Sequence, residues 1–171
     1  MAGETVRILG IDPGSQATGF GILDVQGSAA TAFRWGTIRA AGEHHARLRT
    51  IFTGVAALVE EVRPDEIAIE RVFMHRNADS ALKLGQARAA ALCATFGSVI
   101  PVYEYAARHI KKAVAGDGGA EKDQIQRMIK MILGIREDVE ADAADALAAA
   151  ICHAHERSRR LLVERVAVAA R

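Results

Sequence analysis

Two short apolar runs, each ending in an acidic residue, constrain the fold of this sequence more than any other feature. Residues 6–11 are mostly apolar and stop at Asp12, which precedes a Pro-Gly turn. Residues 66–70 follow an amphipathic helical pattern over residues 43–63, have a wholly apolar middle and end at Glu70. A strand that follows a crossover helix is typically parallel to an earlier strand and buried on both faces. We therefore predict two parallel strands that bring Asp12 and Glu70 together at one sheet edge.

The rest of the hydrophobic pattern predicts an α/β fold with the element order β-β-β-α-β-α-β-α-α-α. Three sequential strands with short connections favour an antiparallel meander, and the crossover helices favour a mixed five-stranded sheet with helices on both faces. The predicted strands cover residues 6–11, 19–23, 31–38, 66–70 and 99–103, and the predicted helices cover 43–63, 77–96, 106–114, 121–133 and 140–155.

Composition narrows the class of protein. The chain has 171 residues, half of them hydrophobic and a quarter charged, which predicts one globular domain. Its 34 alanines predict helices that pack closely. Two cysteines make neither a disulfide framework nor a zinc site. No signal region or apolar run of about 18 residues is present, so we expect a cytoplasmic protein without a membrane segment.

Charge is distributed unevenly along the chain, although the net charge is only +1. Residues 71–132 carry ten basic and five acidic side chains, whereas residues 136–145 carry one arginine and five acids. An acidic focus flanked by basic segments suits a metal site that serves a phosphate polyanion. Ordinary scatter of surface charge explains the same pattern, so charge alone leaves both interpretations open.

Four acidic residues are the strongest candidates for chemistry. Asp12 and Glu70 end two strands, and Asp142 and Asp145 lie three apart on one face of the last helix. Four carboxylates within a few ångströms cannot all stay ionised in a poorly solvated site unless cations neutralise them. Carboxylate oxygens select Mg²⁺ or Mn²⁺, and two such ions about 3.5–4 Å apart promote in-line phosphoryl displacement.

Each acidic residue also has a purely structural interpretation. Asp12 before Pro-Gly is typical of a turn, and Glu70 is typical of a strand end that reaches solvent. Asp142 and Asp145 are typical of acids that complement the dipole at a helix N-terminus. Because convergence of the four depends on the fold, spacing alone does not decide between these interpretations.

An ordered series of motifs resembles the RuvC family of Holliday junction resolvases over about residues 5–155. A lone Asp-x-Gly is weak evidence, but the complete series is very specific. The matching segments are Gly-Ile-Asp-Pro-Gly-Ser at 10–15, Ala-Ile-Glu-Arg-Val-Phe-Met at 68–74, Asn-Ala-Asp-Ser-Ala-Leu-Lys-Leu-Gly-Gln-Ala-Arg at 77–88, Tyr-Ala-Ala-Arg at 105–108, Ala-Glu-Lys at 120–122 and Ala-Asp-Ala-Ala-Asp-Ala-Leu-Ala at 141–148.

The resemblance implies a single ribonuclease H-like nuclease domain over residues 1–171, with a short C-terminal tail from 156. It implies a homodimer that resolves four-way DNA junctions during homologous recombination and repair by nicking two strands of like polarity. It further implies two Mg²⁺ ions per site, with Mn²⁺ as a substitute, and the RuvA–RuvB branch-migration complex as a partner. By motif, Asp12, Glu70, Asp142 and Asp145 match the catalytic and metal-binding carboxylates.

Five further residues are candidate DNA contacts. The resemblance implies that Phe73 stacks on a base at the junction crossover, with Arg76 beside it; without the resemblance, Phe73 is typical of a core anchor. Lys111, Lys112 and Lys122 lie on the two short helices around a Gly-rich loop and predict a basic group that holds phosphates beside the metals. Their alternative interpretation is solvated surface lysines. The loop is not a Walker A loop, because Glu121 occupies the place of the glycine required before Lys122, so no nucleotide cofactor is expected.

The helix that begins after Asn77 carries Ala78, Ala81, Gly85 and Ala89 at near-helical intervals. A glycine inside a helix costs about 1 kcal/mol relative to alanine, which close approach of another backbone would offset. Tight packing on the chain's own sheet and a dimer interface both satisfy this pattern, and the resemblance favours the dimer.

Other functions remain open at this level. A ribonuclease H-like nuclease acting on structured RNA is the principal alternative, although the pre-16S ribosomal RNA nucleases are shorter and lack the Phe73 loop. A nucleotide-binding protein of the actin and sugar-kinase superfamily needs two domains, for which this chain is too short. A catalytically inactive DNA-binding protein is disfavoured because all four acids are present.

Overall fold

The computed structural model describes residues 4–71 and 77–169. The elements follow the predicted order, with five strands and five helices in the described residues. They are β1 (Val6–Asp12), β2 (Ala17–Gln26), β3 (Ala29–Arg39), α1 (His44–Val62), β4 (Glu66–Arg71), α2 (Ala78–Cys93), β5 (Val102–Ala106), α3 (Ala107–Ala115), α4 (Lys122–Leu133) and α5 (Ala141–Ala169).

The strands form one mixed sheet in the order β3-β2-β1-β4-β5. The β1–β2 and β2–β3 pairs are antiparallel, whereas β1–β4 and β4–β5 are parallel, as the crossover helices predicted. Ile11 pairs with Ile69, so Asp12 and Glu70 follow side by side at the same edge of the sheet. The predicted placement of these two acids is confirmed.

Alternating strand residues bury an apolar core on each face of the sheet. On one face, Leu9, Ile11 and Ile69 belong to a buried cluster with α1 and α2. On the other face, Ile8 and Leu23 belong to a cluster with α3, α4 and α5. Both faces are therefore covered by helices, and only the ends of the central strands are left to carry a site.

Helix α5 lies very close to the two central strands, as the alanine content predicted. A Cβ atom added at Gly19 would collide with the backbone carbonyl of Asp142, and one at Gly10 would collide with the carbonyl of Ala146. Only glycine permits this approach, because any side chain would displace the helix. The first turns of α5 are thereby held against the strand that ends in Asp12.

Several predicted boundaries were wrong, and three of them have a clear local cause. Strand β5 begins at Val102 rather than 99, because Pro101 has no N–H to donate; its carbonyl instead accepts a hydrogen bond from the Ile67 amide at 2.9 Å. Helix α2 ends at Cys93 rather than 96, where the chain tightens and the Thr95 amide bonds the Leu92 carbonyl. Helix α5 continues to Ala169, since residues 156–169 contain no glycine or proline to end it.

Candidate active site

The four acidic side chains singled out in the sequence converge at one edge of the sheet. Burial, followed by the negative charges of Asp145, Glu70 and Asp142, raises the pKa of Asp12 to about 7, and Lys122 opposes the rise. Asp12 is the last residue of β1, Asp142 lies in the first turn of α5, and Asp145 lies one turn later. The tertiary structure thus creates a desolvated, mutually repelling group of carboxylates, for which added positive charge is stabilising.

Two lysines offset part of this negative charge. Burial raises the pKa of Glu70 and of Asp145, and the cations of Lys122 and Lys111 counter the effect at both. The Lys122 ammonium donates a hydrogen bond to Oδ2 of Asp145 at 3.4 Å. Glu70, Asp145, Lys111 and Lys122 line one small cavity of about 140 Å³, which has an apolar wall formed by Ala107, Ile110, Ile125 and Ala148. This cavity brings two of the four acids together with both lysines, a combination of charges that suits a phosphodiester group, whereas Asp12 and Asp142 are not among its lining residues.

The donor set fits a hard divalent cation in its chemistry. All four candidates supply carboxylate oxygens, which Mg²⁺ and Mn²⁺ prefer. In the arrangement of side chains seen here, no three His, Cys, Asp or Glu residues within 4–71 and 77–169 are placed to hold one ion. Binding therefore requires these carboxylates to turn toward a common point.

Known proteins match this chain over the segment that contains these four acids. A model of the family "Crossover junction endodeoxyribonuclease RuvC" matches residues 8–153, which include all four acids. This chain belongs to the RuvC family. It is 53% identical to the protein of that name from Methylococcus capsulatus over 88% of this chain and 92% of the relative. It is 54% identical to the one from Pseudoalteromonas translucida over 86% of each chain.

The fold agrees with a solved RuvC structure. The structure described as "T. thermophilus RuvC in complex with Holliday junction substrate" superimposes with a TM-score of 0.84 at 32% identity, covering 90% of this chain and 96% of that one. The ribonuclease H-like α/β fold expected from the resemblance is therefore confirmed for this RuvC family member. Among the described residues, no helix is long and apolar enough to cross a membrane.

The three candidate lysines do not form one group. Lys111 and Lys122 line the carboxylate cavity, whereas Lys112 lines a separate groove between α3 and α5. The expectation that Lys112 lies with the other two beside the carboxylates is corrected, because successive helical residues are rotated by about 100°. Phe73 and Arg76 fall between β4 and α2, outside the described residues, so their roles stay predictions.

Helix α2 presents a strip of small and apolar residues to solvent. Its N-terminus is capped as predicted, since Asn77 Oδ1 accepts hydrogen bonds from the Asp79 and Ser80 amides. A Cβ atom at Gly85 would meet nothing in the described chain, so tight packing of this glycine on its own sheet is excluded. The α2 strip consists of Leu82, Gly85, Ala89 and Cys93, all exposed and all on one face of the helix.

Sequence reasoning missed a contact that anchors the start of α5. Arg39, at the end of β3, donates to the carboxylate of Glu140 at 2.9 Å. The nearby Thr37 hydroxyl and the hydrogen bonds and charge of Arg39 lower the pKa of Glu140. Glu140 stands two residues before Asp142, so the pair ties the helix start to the sheet edge. Because Arg39 and Glu140 are 101 positions apart in the sequence, no local pattern reveals this contact.

Proposed function

We propose that this protein is a structure-selective endonuclease that resolves Holliday junctions during homologous recombination and DNA repair. The observation that carries the proposal is the half-buried group of Asp12, Glu70, Asp142 and Asp145 beside Lys111 and Lys122. The curated relatives' name, crossover junction endodeoxyribonuclease, supports the same activity. Residues 1–171 would act as a single nuclease domain, with DNA in the cytoplasm as the substrate.

Within this proposal, the four carboxylates are the catalytic and metal-binding residues. Divalent cations held there, two Mg²⁺ ions with Mn²⁺ as a substitute, would activate the attacking water and stabilise the departing 3′ oxygen. The four carboxylates determine where the cations bind. Lys111 and Lys122 orient the scissile phosphate by binding its free oxygens. The apolar wall of the cavity keeps these charge interactions strong by limiting access of water.

Symmetric cutting requires two such sites held in a fixed relation, and we place the dimer contact on the α2 strip. Leu82 is 68% exposed, and no side chain blocks approach at Gly85. A second copy meeting this face would bury both. Phe73 and Arg76 directly precede α2 in the sequence, so this contact would also bring together the two copies of this predicted crossover-binding segment. By family resemblance, the RuvA–RuvB branch-migration complex is a further partner.

One assay tests the activity. The protein is incubated with a labelled four-way junction, a linear duplex or an RNA–DNA hybrid, in Mg²⁺ or in EDTA. We expect paired symmetric nicks in the junction only, only with Mg²⁺, and none from Asp12→Asn, while the control Asp138→Asn cuts normally. Asp138 is a suitable control because its side chain is fully exposed. Preferential cutting of the hybrid or of structured RNA would instead support the ribonuclease alternative.

A further inference from the structure

A second basic surface lies next to the candidate active site. Helices α3 and α5 enclose an open groove of about 650 Å³. We call it the α3–α5 groove. Its charged and titratable lining consists of Arg108, His109 and Lys112 from α3 and His155, Glu156 and Arg159 from α5.

The one acidic side chain in this lining is already engaged. Glu156 Oε1 lies 2.9 Å from Nε2 of His109, and Arg159 donates to Oε2 at 2.7 Å. Burial raises the pKa of Glu156, but the contact with His109 and the charge of Arg159 outweigh it, so the pKa lies below its ordinary value. Within 4–71 and 77–169, neither Arg108 nor Lys112 has a carboxylate within 4 Å. The three cations of the groove, Arg108, Lys112 and Arg159, therefore outnumber its single carboxylate, which Arg159 shares with His109, and the groove carries net positive charge.

Helix α3 forms a wall common to the groove and the carboxylate cavity. Ala107, Ile110 and Lys111 line the cavity, whereas Arg108, His109 and Lys112 line the groove. Helix α3 carries no acidic side chain. A polyanion that extends from the cavity across α3 into the groove therefore meets no negative side chain on this helix. This continuity favours one extended ligand over a separate small anion.

We propose that the α3–α5 groove binds the phosphate backbone of a junction arm, away from the nick. This inference rests on the proposed function and extends its substrate contacts. Asp145 and Glu156 are eleven residues apart on α5, or about 16 Å along its axis. At 3.4 Å per base pair, that distance corresponds to about five base pairs of duplex. Glu156 and Arg159 lie beyond residue 153, where the family model's match ends, whereas Arg108, His109 and Lys112 lie within the match.

The test compares junction binding by two arginine variants on α5. Affinity of the full-length protein for a labelled four-way junction is measured in EDTA across a salt series. Arg159→Gln removes a groove cation, whereas Arg165→Gln removes an exposed cation on the same helix outside the groove. Loss of one phosphate contact reduces the magnitude of the slope of log affinity against log salt by about 0.9. At 0.1 M salt this corresponds to an affinity about eightfold weaker. We expect that change for Arg159→Gln and none for Arg165→Gln.

A second measurement locates the contact. Single methylphosphonates are placed four to six nucleotides from the nick, and we expect them to weaken binding by the wild type but not by Arg159→Gln. Arg108→Gln is the alternative variant if Arg159→Gln unfolds early in a melting experiment. The proposal would be overturned if the groove variants kept the wild-type affinity and salt slope, or if Arg165→Gln lost as much affinity as they do. An acidic protein segment would then be the better candidate for the ligand of the groove. A wild type that does not prefer the junction would overturn the proposed function itself.

Discussion

Lys122 on α4 reaches across to α5 and donates a hydrogen bond to Asp145, with Nζ 3.4 Å from Oδ2. Its cation opposes the raised pKa values of Asp12, Glu70 and Asp145. One side chain thus links the basic half of the site to the acidic half. Its removal affects both DNA binding and the ionisation of the carboxylates.

Lys122→Ala is expected to move the acid limb of the cleavage pH profile to higher pH. Without the cation, the pKa values of the three carboxyls rise further, so a higher pH is needed to ionise them. The measurement is the single-turnover nicking rate of a saturating junction from pH 5 to 9. Lys122→Arg, which keeps the charge, should leave the limb in place. An unshifted limb in Lys122→Ala would show that Lys122 does not influence the ionisation of the site.

Asp12→Asn is expected to stabilise the protein at alkaline pH while abolishing nicking. The folded-state pKa of Asp12 is about 7, above the unfolded value of about 3.9. The folded protein therefore binds the extra proton, and stability falls as pH rises from about 4 to 7. Replacing Asp12 with asparagine should raise the free energy of unfolding by about 1–4 kcal/mol at pH 8 and by much less at pH 5. Urea unfolding without divalent cations measures the free energy of unfolding at both pH values. An equal stabilisation at pH 5 and pH 8 would contradict the raised pKa of Asp12.

Gly19→Ala is expected to weaken both folding and catalysis. The added Cβ would collide with the backbone carbonyl of Asp142, which forces α5 away from the sheet. Overpacking of this kind costs about 1–3 kcal/mol or more. Gly97→Ala is the matched control, because a Cβ there meets nothing. Unfolding midpoints and nicking rates should fall for Gly19→Ala alone, and wild-type values would show that α5 does not depend on this contact.

Leu82→Glu is expected to shift the protein toward monomer. A charge at the N-terminal end of the α2 strip opposes burial against a second copy. Met131→Glu serves as a control, because Met131 is 74% exposed on α4, outside the strip. Sedimentation velocity over a concentration series measures the change. A wild type that is monomeric throughout, or a Leu82→Glu variant that stays dimeric, would remove the strip from the dimer interface.

Local patterns predicted much of this structure because they depend on neighbouring residues. Period-two and period-3.6 hydrophobicity gave the element order, and acids at the strand ends gave the positions of Asp12 and Glu70. The same patterns placed Lys112 with Lys111, because they do not show which face of α3 packs against α5. Only the packed helix assigns Lys111 to the carboxylate cavity and Lys112 to the groove.

The amino-acid sequence by itself determined which residues carry charge, where strands and helices form, and which family the chain resembles. The tertiary structure alone decided that α5 packs against Gly19, that Arg39 donates a hydrogen bond to Glu140, and that Lys122 donates one to Asp145. These contacts join residues far apart in the chain, and the shifted pKa values arise only when distant charges share a desolvated volume. Hydrophobic periodicity is a property of short segments, whereas electrostatic coupling depends on which segments are packed together.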